Sequence, residues 1–180
     1  MIAGVAVIHL PMHRDVRGHL TELFSRDRPQ PAGFVPAQWH VLASQAGTLR
    51  GMHAHALHDD LKITLAGEVV LGLKDLRRGS PSEGAGQLLG LSGAAYKGVL
   101  IPAGVAHGIL AVTDSLVLVG VTLPYDGTDE FECAWNDPRL GIEWPTAPRL
   151  LSERDRQAGS LADLLAALEP HQPLWRGPGS

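Results

Sequence analysis

The chain has 180 residues, a formal charge of −4 and a single cysteine, Cys133. That length suits one domain with a real core, the negative balance gives no general case for nucleic acid, and a lone thiol excludes an internal disulfide and fits a reducing compartment. No apolar run reaches the roughly 18 residues of a membrane span, and the start, MIAGVAVIHLP, is too short and lacks the basic flank of a signal peptide, so the expectation is a cytoplasmic protein with no membrane partner.

In chain order, residues 5–10 alternate weakly and read as a strand. A turn at Asp15-Val16-Arg17-Gly18 precedes a second strand over 19–24, and 25–37, rich in Arg, Pro and Gly, read as a loop. Strands follow over 39–44, 61–66 and 69–74, the last two hinged at Gly67, with Val69, Leu71 and Leu73 marking one face. Residues 78–86 carry turn chemistry. Further strands at 88–91, 99–101, 108–112 and 116–123 complete the set. Short strands at this density, with 21 Gly and 13 Pro to turn them, predict an all-β sandwich or barrel in a single domain over 1–170. Ser160 then caps an apolar helical pattern over 161–168, with Asp163 at the capping-box position, and 171–180 read as a loose tail.

The richest stretch for chemistry is 47–67, GTLRGMHAHALHDDLKITLAG. His53 and His55 are one residue apart, followed by Asp60 and Gly67. On a strand, i and i+2 share a face, so both imidazoles can enter one cavity. A third, His107, follows the Pro-x-Gly turn of Ile101-Pro102-Ala103-Gly104-Val105-Ala106-His107-Gly108. The spacing resembles the two motifs of the cupin superfamily, which implies a jelly-roll barrel with a polar interior site. It leaves open whether that site holds a metal or a bare histidine base. His58 and Asp59 sit in the same loop, either behind that site or on the surface.

The resemblance extends further. Asp15-Val16-Arg17-Gly18-His19-Leu20-Thr21-Glu22 is similar to a D-x-R-G-x-F-x-E signature, and Leu49-Arg50-Gly51-Met52-His53 to L-R-G-L-H. The run from Asp75 to Gly84 is similar to D-L-R-x-x-S-P-T-x-G, and 101–108 to I-P-x-G-F-A-H-G. With 135–145 (WNDPRLGIEWP) and 151–155 (LSERD), the series resembles the dTDP-4-dehydrorhamnose 3,5-epimerase family in order and spacing from about residue 5 to 160. That resemblance implies a jelly roll, a homodimer, no metal or other cofactor, and a nucleotide-sugar substrate, dTDP-linked. It also implies proton abstraction beside the C4 ketone of a 4-keto-6-deoxy sugar. Such chemistry needs a base near neutrality, a group to hold the enolate charge, and a donor on the far face for inversion.

Carried over residue by residue, the resemblance makes His53 the base, Asp155 its partner carboxylate and Tyr125 a second active-site tyrosine. It makes His107 an active-site histidine, and Arg17, Glu22, Gln38 and Arg50 nucleotide contacts. Arg17 and Arg50 suit a diphosphate. His40 stands where an Asn is usual and Leu20 where an aromatic is. Arg77 and Arg78 lie in a matched loop and read as structural or solvated, and Trp135 and Trp144 as core. Three departures matter. The family's tyrosine acid, six residues before Tyr125, is here Val119. Its enolate-holding lysine falls on Asp60, with Lys62 two residues on and able to share the face. The aromatic-Gln pair after the base is Ala54-His55.

The same departures assemble a metal-like set of His53, His55, Asp60 and His107, whose three imidazoles and one carboxylate suit Zn, Fe, Mn or Ni. Three functions therefore stand. The first is an isomerase that inverts one carbon of a nucleotide-linked keto sugar. The second is a metal-dependent cupin enzyme, a dioxygenase or lyase. The third is a catalytically impaired sugar-nucleotide binding module.

Overall fold

The computed structural model describes residues 1–25 and 33–171. The expected tail thus falls outside the described residues except for His171, and part of the expected 25–37 loop does too. The strands are β1 (Ala6–His9), β2 (Met12–Asp15), β3 (Gly18–Thr21), β4 (Gln38–Ser44), β5 (Leu49–Ala54), β6 (Asp60–Ala66), β7 (Glu68–Asp75), β8 (Gly86–Ser92), β9 (Lys97–Ile101), β10 (Val105–Ala111), β11 (Ser115–Val121) and β12 (Phe131–Glu132). They form two five-stranded antiparallel sheets, β1-β9-β6-β11-β4 and β12-β5-β10-β7-β8, with β2 and β3 paired as a separate hairpin. This is the jelly-roll arrangement that the motifs implied.

Alternation along each strand sorts residues between the sheet interior and the two outer faces. Val69, Leu71 and Leu73 of β7 meet Val99, Ile101, Val105, Ile109, Val117, Val119 and Val121 in the main core. On the outer face of the first sheet, Leu61 and Ile63 pack with Phe34 and Leu100. Their neighbours on β6, Asp60, Lys62 and Thr64, are buried as well, which places three polar side chains on the opposite, interior face. The interior is therefore apolar over much of its extent and polar toward β5 and the start of β6.

Two short helices follow the strands, α1 (Glu153–Gln157) and α2 (Leu161–Leu168). Ser160 and Asp163 form the expected capping box on α2. Leu161, Leu164 and Leu168 of α2 pack with Met52, Ala54, Ala106 and Leu140 around the wholly buried Cys133. Cys133 also exchanges backbone hydrogen bonds with Met52, tying the segment after β12 to β5. Burial pushes its thiol up to about 12, with the charge of Asp137 adding to the effect.

The Asp75–Gly84 segment is structural. Arg77 Nε and Nη2 donate to the two oxygens of Asp75, at 2.8 and 2.9 Å, and the hydroxyls of Ser80 and Ser82 donate to the same carboxylate. Arg77 is buried and Arg78 exposed, so the pair divides between the two expected roles. Trp144 packs against the outer cluster and donates its indole N–H to the Trp135 carbonyl.

Candidate active site

The β5–β10 register sets His53 opposite His107. Between His107 and Ile109 the register slips, so that 50–53 of β5 span one residue more than 107–109 of β10, a bulge in β5. Gly51 occupies it at φ 125°, where a Cβ would lie 2.6 Å from the Gly108 Cα. Only glycine permits that backbone angle and that approach together.

His53 Nε2 lies 2.7 Å from Asp155 Oδ1 across 102 residues of sequence. Asp155 belongs to α1, whose N-cap, Ser152, accepts from the Asp155 backbone N–H and donates its hydroxyl to Asp155 Oδ2 at 2.7 Å. The capping geometry thus aims the carboxylate at the imidazole. Burial alone would raise the Asp155 pKa, but hydrogen bonds from His53 and Ser152 outweigh it and hold the acid below its usual value. An ionised carboxylate accepts only, so His53 Nε2 carries the proton and Nδ1 keeps the lone pair. The Asp155 side chain is 4% exposed and that of His53 23%, so the base retains access while its partner does not.

Deeper in the sandwich, His107 Nε2 lies 3.0 Å and Lys62 Nζ 2.7 Å from Asp60 Oδ2. His55 Nε2 is 3.9 Å from the same oxygen, and His58 Nε2 is 3.7 Å from Asp60 Oδ1. Burial opposes the charge on Asp60, yet Lys62 and His107 hold its pKa well below the ordinary carboxylate range. Burial, helped by Lys62, pushes His107 down to about 3, and burial also lowers His55. At neutral pH both imidazoles are uncharged.

Two trios therefore bring potential ligand atoms within 4.8 Å of one another: His55, Asp60 and His107, and His55, His58 and Asp129. His53 is in neither, because its Nε2 faces Asp155, so of the four residues in the alternative metal reading only His55, Asp60 and His107 come together. His58 is buried, not a surface residue, because Asp129 folds the 56–58 loop inward. Its carboxylate accepts from the backbone of Ala56 and Leu57 and from His58 Nδ1, at 2.7, 3.0 and 2.8 Å. Nothing in the local spacing marked Asp129 or Glu130, more than 70 residues away. The one available signal was His58, the third histidine of the 53–60 run after His53 and His55.

The remaining expected residues scatter. Tyr125 is exposed and lines, with His58, Asp126, Asp129 and Glu130, a cavity of about 190 Å³. Its backbone N–H donates to Gln38 Oε1 at 2.7 Å. Val119 packs in the apolar core beside Lys62 on β6, with no donor in the tyrosine's place. Arg50 is exposed and donates to Ser44 Oγ and the Ala43 carbonyl. Arg17 projects from the β2–β3 turn and pairs with Asp15, and Glu22 is exposed just beyond the hairpin.

Comparison with known proteins places this geometry. Residues 1–163 match the dTDP-4-dehydrorhamnose 3,5-epimerase family. The dTDP-4-dehydrorhamnose 3,5-epimerase of Pseudomonas aeruginosa is 39% identical over 140 residues, which cover 74% of this chain and 75% of that one. The Legionella pneumophila dTDP-6-deoxy-D-glucose-3,5-epimerase, solved with dTDP-4-keto-L-rhamnose, superposes with a TM-score of 0.86 at 29% identity, covering 98% and 96% of the two chains. A 3′-monoepimerase of Streptomyces bikiniensis, solved with dTDP-quinovose, gives a TM-score of 0.80 at 27% identity, covering 96% and 89%. These relatives favour neither a metal-dependent dioxygenase or lyase nor a bare binding module. The sequence match along nearly the whole described chain, on a jelly roll of the same form, shows that the chain belongs to the dTDP-4-dehydrorhamnose 3,5-epimerase family.

Proposed function

We propose that the chain epimerises a dTDP-linked 4-keto-6-deoxy sugar by proton abstraction next to the ketone, inverting one carbon, with His53 as base. The observation that carries this is the 2.7 Å contact between His53 and Asp155. Asp155 fixes the tautomer and orientation of the imidazole and stabilises the cation formed when Nδ1 takes the substrate proton. The C–H electrons move into the carbonyl, leaving an enolate. Lys62, two residues beyond the position of the family's lysine, supplies the positive charge nearest that region. Its ammonium is shared with Asp60. Arg50 and Arg17 hold the diphosphate, with Glu22 and Gln38 against the nucleoside and His107 behind the sugar. Tyr125 or water returns the proton on the opposite face.

Inversion of a single carbon follows from Val119. A site with one base and no phenol in the tyrosine's place reprotonates the far face poorly, so only the better-exposed carbon inverts. The family accommodates such an outcome, since the Streptomyces bikiniensis relative is a 3′-monoepimerase. The protein acts as a homodimer. The β2–β3 hairpin lies outside both sheets and leaves Val16 and Leu20 uncovered. A lone two-stranded ribbon is marginal in water, and reaching a second copy would both cover it and deliver Arg17 to that copy's site.

The test is incubation with a dTDP-4-keto-6-deoxy sugar in deuterated water. Deuterium at C3 or C5, mainly at one of them, with little doubly inverted product, is the expected result, and His53→Ala abolishes it. Rapid exchange at both carbons with full double inversion would refute the single-carbon assignment. No exchange at all would refute the activity. Sedimentation velocity across micromolar concentrations checks the dimer, which a strictly monomeric, ligand-binding species would rule out.

A further inference from the structure

We propose that the chain binds one divalent first-row transition-metal ion through His55, Asp60 and His107, at a site separate from the His53–Asp155 dyad. This does not rest on the epimerase reading. It comes from where the lone pairs point. His55 Nδ1 lies 2.7 Å from the Asp129 carbonyl and 3.5 Å from Glu130 Oε1, so it faces acceptors only and must be the N–H. His55 Nε2 then carries the lone pair, and it faces Asp60. His58 lies beside it, with Nδ1 2.8 Å from Asp129 Oδ2 and Nε2 3.7 Å from Asp60 Oδ1.

His107 meets acceptors at both ring nitrogens, the Val105 carbonyl at 3.3 Å and Asp60 Oδ2 at 3.0 Å, and a neutral ring can donate to only one of them. The lone pair of His55, and that of His107 when its proton sits on Nδ1, thus face a buried carboxylate. Asp60 is 2% exposed, and its Oδ1 has no hydrogen-bond partner among the described residues. Such a convergence calls for a cation at its centre.

Lys62 meets part of that demand, but it reaches Oδ2 alone. A metal ion with bonds of about 2.1 Å separates tetrahedral ligand atoms by about 3.4 Å, and the Asp60-to-imidazole separations of 3.0 and 3.9 Å bracket that value. The outer nitrogens are already tied as metal-bound imidazoles are, to a backbone carbonyl at His55 and more loosely at His107. Two imidazoles and one carboxylate, with His58 beside them, suit Zn²⁺, Co²⁺, Ni²⁺ or Fe²⁺ rather than Ca²⁺ or Mg²⁺.

The test uses the full, untagged chain, treated with chelator and dialysed. Zn²⁺ is titrated by calorimetry and by competition with a chromophoric chelator, and Co²⁺ by its visible absorption. One ion per chain with a dissociation constant on the order of micromolar or tighter is expected, with a Co²⁺ spectrum typical of a low-coordinate nitrogen–oxygen site. His55→Gln and Asp60→Asn should each weaken binding at least about tenfold, while His9→Gln on the surface leaves it unchanged. Lys62→Met removes the competing ammonium and should tighten binding about tenfold.

Circular dichroism of each variant separates lost binding from lost folding, and His55→Gln keeps the test alive should Asp60→Asn not fold. Fewer than about 0.1 ions per chain, or binding indifferent to His55→Gln and Asp60→Asn, overturns the proposal. So does nitrogen NMR showing His55 and His58 as imidazolium cations in metal-free protein that takes up no Zn²⁺. Protons would then supply the charge.

Discussion

At the scale of single residues, the site turns on who holds whom. Asp155 accepts from His53 on one oxygen and from Ser152 on the other, so its orientation is set before any substrate arrives. Asp155→Asn keeps the shape but presents an amide that can offer an N–H to the same nitrogen and favour the wrong tautomer. Deuterium wash-in should fall by about 10²–10⁴-fold with little change in substrate affinity, a difference read by single-turnover exchange and by calorimetric titration with dTDP. Val119 bears on a different quantity. Its neighbour on β6 is Lys62, so a phenol at 119 would enter the interior polar region. Val119→Tyr is expected to raise the ratio of inverted product to exchanged substrate, measured by NMR of the sugar, with the exchange rate itself little altered.

The His53–Asp155 pairing was legible in the sequence because the motifs fixed both ends. His58 was not, because its burial depends on Asp129, and loop closure over 71 residues leaves no mark on local spacing. Spacing also suggested that His55 would share a strand face with His53. β5 ends at Ala54, and the Asp129 carbonyl orients His55 instead.

At the scale of elements, the strands of the main core follow alternation closely, and Val69, Leu71 and Leu73 share one buried face as their spacing required. The two-residue β12 escaped notice because so short a strand carries no period. It exists by pairing with 53–54 of β5. The β5 bulge was equally invisible, though it decides where His53 points. Gly51→Ala would force a side chain against the Gly108 backbone at a positive φ, so unfolding by urea should show a loss of ~2 kcal/mol or more, with exchange activity lost in the folded fraction.

The Asp75 loop makes a separate prediction. Burial disfavours the Asp75 charge, but Arg77, Ser80 and Ser82 more than compensate, and its pKa lies below the ordinary value. A depressed carboxylate contributes stability that is fully present above the unfolded pKa of about 3.9 and is lost as pH falls through the lower folded one. Asp75→Asn should cost about 3–5 kcal/mol at neutral pH, since it removes the carboxylate charge that the buried Arg77 guanidinium holds at 2.8 and 2.9 Å. The variant's stability should then decline less steeply than the wild type's below about pH 4, as followed by urea midpoints across pH.

At the scale of the whole molecule, the jelly roll divides labour between its faces. The interior holds the apolar core and the polar cluster, one outer face carries Phe34, Leu61 and Ile63, and the other carries α2. Alternation with period two, clearest in β7, was enough to read a sandwich or barrel, and the motif resemblance narrowed it to a jelly roll. Neither could reach the arrangement at the α2 side, where Cys133 sits between β5, which bears the base, and the helical segment that follows the partner acid. That position gives the chain a built-in clock. A thiol with no exposure and a pKa near 12 cannot be alkylated while the segment is closed, and no second thiol in the 180 residues confuses the signal. The rate of iodoacetamide labelling therefore counts openings of the seam that joins β5 to the C-terminal helices. Labelling should be slow in the resting protein and complete in urea. Any ligand that stabilises the His53–Asp155 side of the fold should slow it further, in proportion to occupancy, so binding can be followed without substrate turnover.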